Sequence, residues 1–155
     1  PADQEVPVSK VAAGGIARGP RRLSDRYVDS SVIISAFDLF DERRTEILIA
    51  EDKALYTSML VYVEVIRNLA RLERSMSGES VVAEFEDLFA RMTIIEIDDW
   101  VWSKAAAVAM ASGVKSLDAL HLATASAPGI PDIEFATFDK RLAVAARQLG
   151  MVVVP

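Results

Sequence analysis

The sequence predicts an α/β domain of three layers (α/β/α), with helices on both faces of a mainly parallel sheet. Short strand-like runs alternate along the chain with helical stretches, the order that gives a parallel sheet. Several of the helical stretches open on capping residues or close at glycines. At 155 residues the chain is long enough for one sizeable core and short enough to be one domain.

Each element follows from local chemistry. Residues 1–25 hold Pro7, Gly14, Gly15, Gly19 and Pro20 without a sustained apolar period, and read as a disordered tail or linker. The folded domain is expected over 26–155. Tyr27-Val28 is a short buried strand, followed by a helix from Ser31 to Leu39. Glu42–Glu51 carries Ile47, Leu48 and Ala50 among charges and reads as an amphipathic helix. Leu55–Thr57 is a second strand, and Ser58 is placed to cap a long helix reaching about Arg74. A further helix covers roughly Glu79–Met92, with Val82, Phe85, Leu88 and Phe89 on one face.

Thr93–Ile97 reads as the third strand. Asp98 or Asp99 then caps a helix that stops at Gly113, and Ser116 caps a short one through Ala125. Glu134–Thr137 is a fourth strand, Asp139–Leu149 a helix closed by Gly150, and Val152–Val154 the last strand. No internal repeat is visible.

Composition narrows the function. Without cysteine there are no disulfides and no thiolate metal sites, which suits a reducing, cytoplasmic setting. No apolar run approaches the roughly 20 residues of a membrane span. The net charge is −6, the wrong sign for binding nucleic acid by bulk electrostatics. It is also uneven: residues 1–26 have five basic against three acidic residues, a net of +2, and the remainder is −8. A phosphate substrate must therefore meet a local basic patch or a cation that offsets the acids.

Four acids stand apart. Asp29 follows the first strand, Glu64 is the only charge in Met59–Ile66, Asp118 opens the short helix after Ser116, and Asp139 follows the fourth strand. A carboxylate in apolar surroundings costs several kcal/mol unless it is hydrogen-bonded, paired or bound to metal. Ligands in parallel sheets bind beyond the carboxyl ends of the strands, where Asp29 and Asp139 fall. Oxygen donors of this kind suit Mg²⁺ or Mn²⁺. Structural roles compete with that reading. Asp139 fits an N-cap and Asp118 complements a helix dipole, while Glu64 has Arg67 and Asn68 within a turn. Asp29 has the weakest structural alternative.

The segments Tyr27–Ile34, Ser58–Arg67, Leu117–Ala125 and Phe135–Leu142 resemble, in order, the four signature blocks of PIN-domain ribonucleases, above all bacterial VapC-type toxins. The resemblance runs from Arg26 to the C-terminus. It implies a metal-dependent endoribonuclease using Mg²⁺ or Mn²⁺, with Asp29, Glu64, Asp118 and Asp139 as catalytic and metal-holding acids. Ser31 and Thr137 match supporting polar positions. It further implies a homodimer, an RNA substrate and a cognate antitoxin that inserts a segment into the groove. Lys140 and Arg141, beside Asp139, are candidates for phosphate contact.

Several residues receive a plainer reading. His121, between Leu120 and Leu122, is expected to pack at the edge of the core. Trp100 and Trp102 are expected in core or subunit packing, and Arg67 and Arg71 on a solvated helix face. The main rival function is a PIN-like module that binds RNA or protein without cutting. An acid-centred phosphoacceptor domain fits less well, since two serines follow Asp29 and no late strand ends in lysine.

Overall fold

The computed structural model describes residues 10–11, 25–37, 53–73, 81–129 and 133–154. Five parallel strands form the centre: β2 (Arg26–Val28), β3 (Leu55–Thr57), β4 (Thr93–Ile95), β5 (Glu134–Ala136) and β6 (Val152–Val154). A two-residue strand, β1 (Lys10–Val11), pairs in parallel outside β4, so the full order is β1-β4-β3-β2-β5-β6. β1 lies within the segment read from sequence as a tail. The helix expected at Glu42–Glu51 falls outside the described residues.

Six helices are described: α1 (Ser30–Phe37), α2 (Met59–Glu73), α3 (Val81–Phe89), α4 (Asp99–Ser112), α5 (Ser116–Ala125) and α6 (Lys140–Gln148). Successive strand residues point to opposite faces, which sorts the core into two halves. Tyr27 packs with Val101, Val108, Leu122, Phe135 and Leu142 beneath α4, α5 and α6. Val28 packs with Ile33, Val65, Leu69, Phe85 and Phe89 beneath α1, α2 and α3. The result is the three-layer α/β/α arrangement.

The caps differ in detail from expectation. Asp98 is the residue that caps α4, accepting from the Val101 N–H at 2.9 Å, and Gly113 ends the helix with φ 67°. Ser116 does not cap α5. Lys115 occupies that position in extended conformation, its carbonyl accepts from Ala119, and no side chain caps the end. At α2 the carbonyl of Ser58 accepts from Val61, while its hydroxyl is engaged with Tyr27. Trp100 and Trp102 are exposed, so neither belongs to the core of the chain.

The strand order carries the functional consequence. From β2 the chain builds outward through β3 and β4 on one side and through β5 and β6 on the other. β2 and β5 therefore meet at a topological switch point, where a crevice opens beyond the carboxyl ends of the strands. Val28 lies opposite Ala136, so the next residues, Asp29 and Thr137, come together at that crevice.

Candidate active site

Asp29 is 3% exposed and anchored from both sides of the switch point. Its N–H donates to the Ala136 carbonyl at 3.0 Å. Oδ2 accepts from the Ser31 hydroxyl at 2.6 Å, from the Thr137 hydroxyl at 2.9 Å and from the Ser31 N–H at 3.3 Å. The donors are themselves held: the Ser31 oxygen accepts from the Phe138 N–H, and the Thr137 oxygen from the Asp139 N–H. The bond from the Ser31 N–H also lets Asp29 serve as a cap for α1, a structural role that its strand-end position conceals in the sequence. With Oδ2 taken up, Oδ1 faces Nε2 of His121 at 3.8 Å, too far for a hydrogen bond.

Glu64 reaches the same place from the second turn of α2. Its Oε2 lies 2.9 Å from His121 Nε2, and the Ser30 side chain also bonds the carboxylate. Burial pushes the Glu64 pKa up, but the hydrogen bond and charge of His121, with Ser30 adding to them, outweigh it and hold the group below its ordinary value.

His121 comes from α5. It is 2% exposed, with Nδ1 3.0 Å from the Tyr27 hydroxyl, which stands 3.3 Å from the Ser58 hydroxyl. Burial disfavours the imidazolium. The Glu64 bond and the charges of Asp29, Glu64 and Asp118 overcome that penalty and raise the histidine pKa. Tyr27 is fully buried, which drives its phenol well above the usual range and keeps it protonated.

The structure thus gathers Asp29, Glu64 and His121, whose ligand atoms lie within 4.8 Å of one another. His121 is packed, as expected, yet it also faces the acids. A signal for this lay in the sequence: it is three residues from Asp118 on a helix, hence on the same side. Ser30 was a second omission. Asp118 sits partly buried in the first turn of α5, outside the gathered atoms but near enough for its charge to act on His121. Asp139 is exposed and caps α6, Oδ1 accepting from the N–H groups of Arg141 at 2.7 Å and Leu142 at 3.0 Å.

Two carboxylates at this separation fit a divalent cation, with the imidazole of His121 bonded to Glu64 beside them. Asp29 and Glu64 provide the hard oxygen donors that magnesium or manganese favours, and water can complete the shell. Lys140 and Arg141 are both exposed. Lys140 and Arg147 line a cleft of about 320 Å³ with Thr137, Asp139 and Val144, directly beside the switch point.

Comparison with known proteins agrees with this architecture. The family model for the PIN domain matches residues 26–148. Among curated proteins, Ribonuclease VapC45 of Mycobacterium tuberculosis (strain CDC 1551 / Oshkosh) is 35% identical over 107 residues, 66% of this chain and 74% of that protein. Ribonuclease VapC35 of the same strain is 40% identical over 100 residues, covering 63% and 70%. Among solved structures, FitAcB from Neisseria gonorrhoeae superposes with a TM-score of 0.57 at 22% identity, covering 83% of this chain and 96% of that one. PAE2754 from Pyrobaculum aerophilum gives 0.56 at 17%, covering 84% and 90%. At those identities the two structures bear on the fold alone.

Proposed function

Because the chain belongs to the PIN-domain family, among relatives that are VapC ribonucleases, we propose that it is an endoribonuclease dependent on Mg²⁺ or Mn²⁺. The observation that carries this reading is the Asp29–Glu64 pair at the sheet switch point, with one Asp29 oxygen pinned by Ser31 and Thr137 and the other left to the crevice.

Asp29 and Glu64 would hold the cation from the end of β2 and from α2, and when bound it would supply a water of lowered pKa and offset charge on the scissile phosphate. Asp118 adds negative charge from α5, and Asp139 extends the acidic edge past β5. Ser31 and Thr137 hold the Asp29 carboxylate in orientation through their hydroxyl groups. Lys140, Arg141 and Arg147, exposed on and around α6, are the cations offered to the phosphates of the RNA strand.

The reading extends to a toxin paired with an antitoxin, as the resemblance of the four sequence blocks to VapC-type toxins implies. The net charge of −8 beyond residue 26 complements a basic inhibitory segment. Exposed Met59, Val63, Trp100 and Trp102 supply apolar surface for a homodimer. A cytoplasmic setting accords with the absence of cysteine. Among the described residues no helix is long and apolar enough to cross a membrane.

The test compares cleavage of single-stranded RNA by the wild type with Mn²⁺, the wild type with EDTA, and Asp29→Asn with Mn²⁺. Cleavage is expected in the first alone. Equal cleavage in all three, or in none, defeats the proposal.

A further inference from the structure

Three side chains run in a line behind Glu64. Ser58 stands 3.3 Å from the Tyr27 hydroxyl, Tyr27 stands 3.0 Å from Nδ1 of His121, and Nε2 of His121 stands 2.9 Å from Oε2 of Glu64. Ser58 and Tyr27 are fully buried and His121 almost so.

The direction of each bond follows from its partners. An ionised carboxylate only accepts, so Nε2 carries the proton toward Glu64. In the neutral ring Nδ1 then accepts from Tyr27, and Ser58 donates to Tyr27. In the charged ring both of those bonds reverse: Nδ1–H donates to Tyr27, and Tyr27 donates to Ser58. Glu64 meets the same N–H in both states. The line therefore tolerates either charge on the ring, and among the described residues no buried side-chain nitrogen or oxygen lacks a partner.

Glu64 needs such a support more than Asp29 does. Asp29 is short and its Oδ2 is fixed by three donors. Glu64 has a longer, more flexible side chain and stands on a helix with its carboxylate partly open to solvent. A ring tied at both nitrogens cannot rotate, and so holds the oxygen it bonds.

We propose that His121 and Tyr27 are positioning residues for Glu64, a buried relay from Ser58 that fixes the carboxylate in the orientation that takes the cation. The proposal rests on the reading of Glu64 as a metal-holding acid. Partners of this kind behind a metal ligand are typically worth about 10- to 100-fold in metal affinity or activity.

Tyr27→Phe is the decisive variant, because it deletes one oxygen and keeps the ring stacked 5.5 Å from Phe135. Mn²⁺ affinity, measured by calorimetry without RNA, is expected to fall about 10-fold, and kcat to fall while KM for RNA holds. His121→Gln, which keeps an N–H donor on a side chain of similar reach, should bind Mn²⁺ more tightly than His121→Leu. His121 is the only histidine, so its imidazole ¹⁵N signals report the ring alone. They should show the Nε2–H tautomer in the neutral wild type, and in Tyr27→Phe the Nδ1 signal should shift because that nitrogen loses its hydrogen-bond partner. Unchanged Mn²⁺ affinity in Tyr27→Phe, or an Nδ1 signal it does not move, overturns the relay and leaves the metal site standing. A wild-type chain that binds neither Mn²⁺ nor Mg²⁺ overturns both.

Discussion

Thr137, at the end of β5, donates a 2.9 Å hydrogen bond to the carboxylate of Asp29 at the end of β2. The threonine is 4% exposed and the aspartate 3%, so little water is at hand to replace that bond. The same hydroxyl oxygen accepts from the Asp139 N–H. Thr137→Val keeps the shape and removes both contacts. It should cost about 2 kcal/mol, the scale of a hydrogen bond to a charged group, as a lower urea midpoint with unchanged slope. Thr137→Ser should restore most of the loss, because the hydroxyl rather than the methyl carries the effect.

Asp139 has a structural job and a proposed chemical one, and two substitutions separate them. Its Oδ1 caps α6 through Arg141 and Leu142. Asp139→Ala should cost about 1 kcal/mol, an ordinary cap loss. Asparagine caps as well as aspartate, so Asp139→Asn should melt within a few degrees of wild type. If the carboxylate also serves the cation or the substrate, that variant loses RNA cleavage while keeping its stability. Full activity in Asp139→Asn would leave only the cap.

At the opposite end of the strands, Glu134 draws together two cations. Arg26 donates to it through Nε at 3.1 Å and through its terminal nitrogen at 2.8 Å, and Lys53 Nζ lies 2.6 Å away. These side chains are 10–14% exposed, so the charges are largely removed from water. Removing one partner of a buried pair typically costs about 3–5 kcal/mol. Glu134→Ala should fall at or just below that range by denaturant unfolding, because Lys53 keeps some access to solvent. Cleavage per folded molecule should be unchanged, since Glu134 lies at the amino end of β5 and Thr137 beyond its carboxyl end.

How far this could be read in advance depended on whether the cause was local. The five central strands and the described helices were legible because short apolar runs, caps and terminal glycines act within a few residues; Gly113 at φ 67° is an instance. The site was legible as a list of acids but not as a geometry. Asp29 and Thr137 are 108 residues apart and meet only because β2 and β5 are neighbours in register. His121 reads as core from Leu120 and Leu122, and only the approach of α2 places Glu64 on its other side. Ser116 misled as a cap because the sequence cannot say which of two adjacent residues leaves the helix; here it is Lys115.

The His121–Glu64 pair also makes a prediction for the metal-free protein in EDTA. The histidine pKa is raised above 6.5 by Glu64, Asp29 and Asp118 despite burial, and the Glu64 pKa is lowered below 4.5 by His121 despite burial. A group whose folded pKa is raised stabilises the fold below its unfolded pKa and loses that contribution as pH rises through the folded value. A group whose folded pKa is lowered does the reverse, losing its contribution as pH falls through the folded value. Both conditions hold together between about 4.5 and 6.5, the ordinary values of the two groups. The contribution of the pair to thermal stability should therefore be flat across that window. It should decline toward alkaline pH as His121 loses its proton, and toward acid as Glu64 gains one. His121→Gln cannot titrate, so the difference in melting temperature between wild type and His121→Gln should shrink above the folded histidine pKa. A difference that stays constant from pH 5 to pH 9 would mean that folding does not shift the imidazole pKa, and one that grows toward alkaline pH would mean that the fold disfavours the charged ring.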